Sequence, residues 1–183
     1  MAYCLIETEL GWFGLAWSVA GITRAYLPGE EPDALRSRMA RHGPELGSEE
    51  DSVPAFVAEA RSLIADYAQG LPVSFAGLPL DFAGVGGFNR RVYEDILSLG
   101  WGETTTYGDI ARRVGDIALS RAVGQAMGAN PIPLIIPCHR VLASGGKTGG
   151  FSAPGGARAK LRMLALEGVD AGPHPTAQLS FGF

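Results

Sequence analysis

Short apolar runs broken by turn residues fill the first thirty positions of the chain. The runs "YCLIET", "WFGLAWSV" and "ITRAYLP" are rich in β-branched and aromatic residues, and "ELG" and "AG" separate them. Such runs with glycine between them are typical of strands joined by hairpin turns. The pattern therefore predicts a meander of three strands at the start of the chain.

Hydrophobic positions then recur at helical spacing. The segment "PDALRSRMARH" predicts a first helix, and "VPAFVAEARSLIADYAQG" predicts a second. The apolar stripe of the second helix consists of Phe56, Ala60, Leu63, Ile64 and Tyr67. The segment "LPLDFAGVGG" closes this half, and near Val85 the acidic half gives way to the basic one, so we place an N-terminal α/β domain at residues 1–84.

The pattern of the following segment is mostly helical. In "FNRRVYEDILSLG" the apolar residues lie on one face, and Gly100 ends the helix. In "TTTYGDIARRVG", Thr106 is placed to cap a helix that starts at Tyr107 and stops at Gly115. A second short helix is predicted over 118–128. Two short helices around a glycine-containing turn form the outline of a helix-turn-helix.

A glycine-rich loop and one further helix complete the predicted elements. The loop is "ASGGKTGGFSAPGGARAK", and "ARAKLRMLALEG" predicts the helix that follows it. The final "PHPTAQLSFGF" has no periodicity and predicts a loose end. We therefore expect a second domain over 85–168 and a C-terminal tail over 169–183.

Charge is distributed unequally along the chain. The net charge is −4, but residues 1–87 hold five Arg and no Lys against twelve Asp and Glu. Residues 88–168 hold ten Lys and Arg against six Asp and Glu. A basic second half suits a nucleic-acid partner, and chance asymmetry in a small domain is the alternative interpretation.

Several protein classes are disfavoured by simple observations. No apolar run approaches the ~20 residues of a membrane span, and the N-terminus lacks the basic region of a secretory signal. Cys4 and Cys138 are far apart, which favours a reducing setting over a disulfide framework. With three histidines and no CxxC or HxxxH spacing, no metal is predicted. We expect a cytoplasmic protein with no cofactor and no membrane association.

The segment "PIPLIIPCHRV" places a thiol beside two titratable side chains. A cysteine attacks as the thiolate, so a neighbouring base or cation has to lower its pKa from about 8.5. His139 and Arg140 follow Cys138 directly, and Glu167 on the last predicted helix is a candidate to orient the imidazole. The segment indicates a reactive cysteine, and a small buried core residue is the alternative.

The same residues carry a family resemblance. "RAVGQAMGANPIPLIIPCHRV" closely resembles the signature of the 6-O-alkylguanine-DNA alkyltransferases, which repair alkylated guanine. "GETTTYGDIA" and "GGF…KLRMLALEG" extend the resemblance over 88–168, and "ETELGWFGLAWSVAGITRAYL" fits more loosely. The resemblance implies an α/β N-terminal domain with a ribonuclease H-like topology, followed by a mostly helical C-terminal domain with a helix-turn-helix.

The resemblance also implies a reaction. A single-turnover protein, expected to be a monomer, transfers the alkyl group irreversibly from 6-O-alkylguanine in double-stranded DNA to its own cysteine. Alkylated thymine, modified at its 4-oxygen, is a second candidate substrate. Cys138 would be the nucleophile, His139 the base acting through a bridging water, and Glu167 the partner of the imidazole.

Further roles follow for residues around the flipped base. Tyr107 would donate to the purine ring, the carbonyls of Cys138 and Val141 would read the exocyclic amine, and the Ser152 backbone would contact the 6-oxygen. Three more residues would shape or brace the pocket: Asn130, Pro133 and Phe151. Phe151 stands where the family usually has tyrosine, and "SAPGG" is two residues longer than the simplest family form.

DNA contacts are implied for the second helix of the helix-turn-helix. Arg121 would take the place of the extruded base, and small residues would allow close approach to the minor groove. The resemblance also implies that Arg140 contacts DNA. The small residues are Ala122, Gly124, Ala126 and Gly128, and the candidate phosphate contacts are Arg90, Arg91, Arg112 and Arg113.

Two other functions remain open at this point. A non-enzymatic helix-turn-helix protein that binds lesions would have the same outline, but such relatives lack the cysteine. A cysteine hydrolase would need an oxyanion hole, and the sequence shows no signature of one.

Overall fold

The computed structural model describes residues 1–42 and 52–171. Three antiparallel strands, β1 (Ala2–Thr8), β2 (Gly11–Ser18) and β3 (Gly21–Tyr26), form a sheet in the order β1-β2-β3. The three predicted strands are therefore confirmed. Part of the predicted tail, residues 172–183, lies outside the described residues.

Two helices cover the sheet, one on each face. Alternate side chains of β1 point to opposite faces, as the period of a strand requires. Leu5 packs in a small cluster with Leu35 and Met39 of α1 (Pro32–His42). Ile6 belongs instead to the main core, which includes the buried residues of α2 (Ala55–Ala68). Both predicted helices are confirmed.

In the second half, the described residues up to 171 form four α-helices and one short parallel strand pair. The helices are α3 (Gly87–Ile96), α4 (Tyr107–Val114), α5 (Ser120–Gly128) and α6 (Gly156–Leu166). A 3-10 turn at Ile117–Leu119 precedes α5, so the helix predicted from 118 begins slightly later. The strands β4 (Thr105–Thr106) and β5 (Val141–Leu142) were not predicted, because two residues carry no detectable period.

The cap of α4 is confirmed in detail. The Thr106 hydroxyl oxygen accepts the backbone N–H of Asp109 at 3.1 Å and donates to the Asp109 carboxylate at 2.7 Å. A capped N-terminus satisfies a helix donor that has no partner within the helix. The cap thus fixes the point at which the chain leaves β4 and enters α4.

One apolar cluster joins the two halves of the chain. Leu15 of β2, Ile64 of α2, Val92 of α3 and Ile132 all belong to it and are almost fully buried. The backbone N–H of Ala25 in β3 also donates to the carbonyl of Pro131 at 3.0 Å. The N-terminal sheet is therefore fixed against the segment that precedes Cys138.

Gly21 provides a test of how tightly the sheet is packed. Its φ is +152°, and a Cβ added there would lie 2.5 Å from the backbone carbonyl oxygen of Pro79. We expect Gly21→Ala to lower the free energy of unfolding by about 2–4 kcal/mol, through backbone strain and overpacking. Urea denaturation measures this loss.

Gly77→Ala is the matched control for that substitution. Gly77 also has a positive φ, +96°, but a Cβ there meets no atom within 4 Å. We expect a loss of only about 1 kcal/mol, from strain alone. Equal losses in the two variants would show that the contact with Pro79 contributes nothing.

Candidate active site

A constrained turn positions Cys138. Leu134 is buried and has a φ of +77°, which is rare for a residue with a side chain. The Asn130 amide donates to the carbonyl of Ile136 at 2.9 Å, and its oxygen accepts the N–H of Ile132 at 3.0 Å. Asn130 therefore holds both ends of the turn that leads to Cys138, the first residue of a single 3-10 turn, Cys138–Arg140.

Cys138 lines two adjoining cavities. The α5-side cavity has a volume of about 670 Å³, and Tyr107, Arg121 and Gly124 contribute to its wall. The β3-side cavity has a volume of about 280 Å³ and includes Asn130 and Pro133. The two cavities share Met127, Gly128, Cys138, Phe151 and Ser152.

A buried carboxylate holds the side chains that follow Cys138. Glu167 Oε1 lies 2.7 Å from His139 Nε2, and the Arg140 guanidinium donates to both carboxylate oxygens at 2.8 and 3.0 Å. The Gly102 N–H also donates to Oε2, at 3.2 Å. Burial alone would raise the pKa of Glu167, but the hydrogen bonds from His139 and Arg140 outweigh it and lower that pKa to about 2.

The ionised carboxylate determines the tautomer of His139. With a pKa of about 2, Glu167 is ionised at neutral pH, and an ionised carboxylate only accepts hydrogen bonds. Nε2 of His139 therefore carries the ring proton and donates a hydrogen bond to Glu167. The other nitrogen, Nδ1, then has a free lone pair. Nδ1 is buried, and within the described ranges no protein group forms a hydrogen bond to it. Nδ1 of His139 can therefore act as a base, and the hydrogen bond from Nε2 to Glu167 fixes the orientation of the ring.

Burial shifts the pKa values of both His139 and Cys138. It lowers the pKa of His139 below its ordinary value of 6.5, and Glu167 opposes only part of that change. Burial raises the pKa of the Cys138 thiol, and Asn130 and Lys160 lower it by less. The expectation of a depressed thiol pKa is therefore wrong, because the sequence does not show that the sulfur is desolvated. The resting pair is a neutral thiol and a neutral imidazole.

Lys160 is a site residue that the sequence reasoning missed. Its side chain is fully buried, its Nζ donates to the Val141 carbonyl, and it lies 5.7 Å from the centre of the Tyr107 ring. Burial lowers its pKa to about 8, and Cys138 partly opposes that change. The available signal was its position one turn before Leu164 on the buried face of α6.

Arg140 does not lie where the DNA-binding interpretation placed it. The residue is 5% exposed, it is paired with Glu167, and its Nη1 donates to the Leu99 carbonyl at 2.7 Å. A guanidinium with these partners is not available to a phosphate. Arg140 instead braces the carboxylate that holds His139.

Some of the other predicted residues line the cavities and others lie away from them. Ser152 donates its hydroxyl to the Gly128 carbonyl at 3.2 Å, which ties the glycine-rich loop to the end of α5. Val141 is buried and Ala122 half-buried, and neither lines the two cavities. Three of the four candidate phosphate contacts are already paired with carboxylates: Arg90, Arg112 and Arg113.

No helix in the described part of the chain is both long and apolar enough to cross a membrane. The described residues also contain no group of three or more His, Cys, Asp or Glu side chains arranged to hold a metal ion.

Comparison with known proteins identifies the family. The model of the 6-O-methylguanine DNA methyltransferase DNA binding domain matches residues 87–169. A methylated-DNA–protein-cysteine methyltransferase from Methanothermobacter thermautotrophicus is 35% identical, over 75% of this chain and 76% of that protein. Its namesake from Mycolicibacterium paratuberculosis is 36% identical, over 77% of this chain and 84% of the relative.

Solved structures show the same likeness over almost the whole chain. Mycobacterium tuberculosis OGT in complex with DNA has a TM-score of 0.73 and 30% identity, covering 92% of this chain and 93% of that one. The O6-methylguanine-DNA methyltransferase from Pyrococcus kodakaraensis has a TM-score of 0.70 and 27% identity, covering 91% and 99%. The chain belongs to the methylated-DNA–protein-cysteine methyltransferase family.

Proposed function

We propose that this protein repairs DNA by transferring the alkyl group of 6-O-alkylguanine irreversibly to Cys138, once per molecule. The proposal rests on the arrangement of Cys138, His139 and Glu167 beside the α5-side cavity. The sulfur lines the cavity beside α5, the next residue His139 has an Nδ1 that no described residue hydrogen-bonds, and Glu167 holds the opposite side of the imidazole. The names of the relatives support the same reaction.

The transfer is an in-line displacement. The Cys138 sulfur forms a bond to the alkyl carbon as the bond from that carbon to the 6-oxygen breaks, and the electron pair passes to the oxygen. The thiol proton moves to His139 Nδ1, through a bridging water. The guanine anion that leaves takes up one proton at N1, so that in net the thiol proton passes to guanine. Because burial raises the pKa of the thiol, proton removal accompanies attack. The thioether product has no route back to a free thiol, so the protein acts once.

Lys160 contributes charge and positioning in this scheme. The positive charge of Lys160 lowers the pKa of the Cys138 thiol, so in this proposal it stabilises the thiolate that develops during attack. The same ammonium fixes the Val141 carbonyl that we propose reads the exocyclic amine of guanine. Tyr107, against Lys160, is the proposed donor to the purine ring.

The roles proposed for the other residues that contact the base rest on their positions in the cavities that Cys138 lines. Phe151 lines both cavities and supplies the proposed aromatic wall for the flipped base, and Ser152 lies at the same edge. Pro133 lines the β3-side cavity beyond the sulfur. Asn130 supports the turn through its hydrogen bonds to Ile132 and Ile136, so its proposed role is to hold Cys138 in place.

The proposed DNA-binding surface is the helix-turn-helix of α4 and α5. An added Cβ at Gly124 or Gly128 would meet no atom of the protein within 4 Å, so their small size is not required by packing within the chain. Such glycines allow a DNA backbone to approach the helix in the minor groove. Arg121 is exposed and lines the α5-side cavity, which supports its proposed role of filling the gap left by the flipped base.

We also propose the finer architecture implied by the resemblance. The three-stranded meander with α1 and α2 forms part of a ribonuclease H-like N-terminal domain, residues 1–84, in a monomeric cytoplasmic protein. The match of the family model to 87–169 supports a separate alkyltransferase domain over 85–168, and the tail is 169–183. Double-stranded DNA carrying alkylated guanine is the proposed partner.

The alternatives receive less support from the site. A non-enzymatic lesion binder has no need for a cysteine that faces an open cavity beside an oriented histidine. A hydrolase would need a route for water to release the group from the sulfur, and a thioether is not cleaved by simple hydrolysis.

The proposed function is tested by the mass of the protein after reaction. Incubation with a stoichiometric duplex containing 6-O-methylguanine is expected to add one methylene to the peptide that contains Cys138. The Cys138→Ser variant is expected to remain unmodified, and the peptide containing Cys4 is expected to keep its mass. An unmodified Cys138 after complete incubation would contradict the proposal.

The pH dependence of transfer tests the role of the Glu167–His139 pair. The transfer rate is expected to rise as pH increases through the lowered pKa of His139, below 6.5, because only the neutral imidazole accepts the thiol proton. Glu167→Gln is expected to reduce the plateau rate roughly 100-fold and to move the rise to lower pH, since Glu167 raises the pKa of His139. Single-turnover kinetics measure both effects.

Glu103→Gln is the control for the Glu167 variant. Glu103 is exposed, and its carboxylate accepts the Gly100 N–H at 2.7 Å, away from His139. We expect its pH profile to match the parent protein. An unchanged plateau in Glu167→Gln would refute the orienting role of the carboxylate.

The open space at Gly124 gives a test of the DNA surface. Gly124→Leu places a large side chain at the mouth of the α5-side cavity, and we expect duplex affinity to fall at least tenfold without loss of stability. A leucine in mid-helix is favoured over glycine by about 0.5–1 kcal/mol, so unfolding is expected at equal or higher urea. Fluorescence anisotropy with a labelled duplex measures affinity, and unaltered affinity would exclude α5 from the interface.

A further inference from the structure

Tyr93 is a buried titratable side chain that the transfer scheme does not use. It lies on α3, it is 1% exposed, and its hydroxyl donates to the Ala126 carbonyl of α5 at 2.8 Å. Burial raises the pKa of Tyr93 to about 12, and the charge of Cys138 adds to that change. The hydroxyl therefore keeps its proton at neutral pH and donates one hydrogen bond to α5.

The carbonyl that accepts this hydrogen bond lies at the end of a helix. The last four carbonyls of an α-helix lack the N–H partners that the helix supplies elsewhere. The Ala129 N–H reaches the Ala126 carbonyl at 3.1 Å but also donates to the Gln125 carbonyl at 3.0 Å, so its hydrogen bond is shared. Tyr93 therefore supplies the Ala126 carbonyl with a second donor, and that donor comes from a different helix.

The last turn of α5 borders the same cavities as the reactive sulfur. Met127 and Gly128 follow Ala126 directly and line both cavities together with Cys138. The Gly128 carbonyl accepts the Ser152 hydroxyl at 3.2 Å. The turn is thus tied to α3 at one residue and to the glycine-rich loop two residues later.

The donor is itself held in place. The Tyr93 ring stacks on the Phe82 ring, with centroids 6.3 Å apart and planes inclined by 26°. Val92 and Ile96 of the same helix are fully buried in the main core. A hydroxyl on a ring with these contacts has little freedom in a close-packed interior, so it restricts the carbonyl to which it donates.

We infer that Tyr93 is a positioning residue for the transfer, because it holds the last turn of α5 in place beside the sulfur through the Ala126 carbonyl. The inference rests on the proposed function, in which the purine enters the α5-side cavity. No bond is made or broken at Tyr93, which acts through Met127 and Gly128 in the wall of that cavity. A misplacement of about 1 Å can lower a rate on the order of 100-fold, so a loose turn reduces the rate of transfer.

Tyr93→Phe tests the inference, since it keeps the ring and removes the donor. Single-turnover rates of methyl transfer, measured over a range of concentrations of a 6-O-methylguanine duplex, give a saturating rate constant and a half-saturating concentration. We expect the saturating rate constant to fall roughly tenfold. The half-saturating concentration is expected to stay within about twofold, because Arg121 and Gly124 lie earlier in α5 and take no part in this hydrogen bond.

Two further measurements separate positioning from folding. The amplitude of the reaction reports the fraction of molecules that react. A lowered amplitude with an unchanged rate constant would give Tyr93 a role in folding alone and overturn the inference. Carbon-13 NMR of labelled methionine methyl groups reports on the turn, since Met127 is one of four methionines. We expect the Met127 signal to shift or broaden in Tyr93→Phe.

Tyr3→Phe is the matched control. Tyr3 lies on β1, packs against the cluster that contains Leu35 and Met39, and lines neither cavity. Loss of its hydroxyl is expected to leave both kinetic constants and the Met127 signal unchanged.

The outcomes distinguish this inference from the proposed function. A rate constant equal to that of the parent protein in Tyr93→Phe, or an unchanged Met127 signal, would overturn the inference and leave the repair function intact. A raised half-saturating concentration with an unchanged saturating rate constant would assign Tyr93 to DNA binding and also overturn it. Absence of transfer by the parent protein would refute the repair function, and this inference with it.

Discussion

The buried carboxylate of Glu167 is the interaction on which the site depends. It joins the end of α6 to the adjacent residues His139 and Arg140 and to the Gly102 backbone, so that three separate parts of the chain meet at one carboxylate. A buried charge is tolerated only when it is paired and hydrogen-bonded, and here the Arg140 guanidinium supplies the compensating charge. The arrangement costs desolvation energy, and in return it fixes the imidazole in one orientation and one tautomer.

Burial sets the chemistry of the other titratable groups in the same way. It raises the pKa of the Cys138 thiol, lowers that of His139 and lowers that of Lys160 to about 8. The low-dielectric site thus favours a neutral thiol next to a neutral base, with a cation nearby to stabilise negative charge as it develops. Such a resting state protects a cysteine that reacts once from off-target chemistry, since the thiolate is the reactive form.

The sequence predicted local features better than buried ones. The Thr106 cap, the three strands and the helices followed from turn residues and apolar spacing, because those signals act within a few residues. Glu167 was chosen as the partner of His139, and the two lie 2.7 Å apart. The burial of Arg140 and Lys160 is not predictable in the same way, because only tertiary packing decides whether a long cationic side chain faces water or a buried carbonyl.

The most direct test of this account is the protonation state of His139. Nitrogen-15 NMR of histidine-labelled protein, with the His139 signals assigned by comparison with His139→Asn, reports which ring nitrogen carries the proton and at what pH the ring titrates. Because Glu167 holds Nε2 and burial lowers the pKa of His139, we expect a neutral ring at pH 7, protonated at Nε2 and titrating below 6.5. A proton on Nδ1, or a charged ring at pH 7, would contradict it.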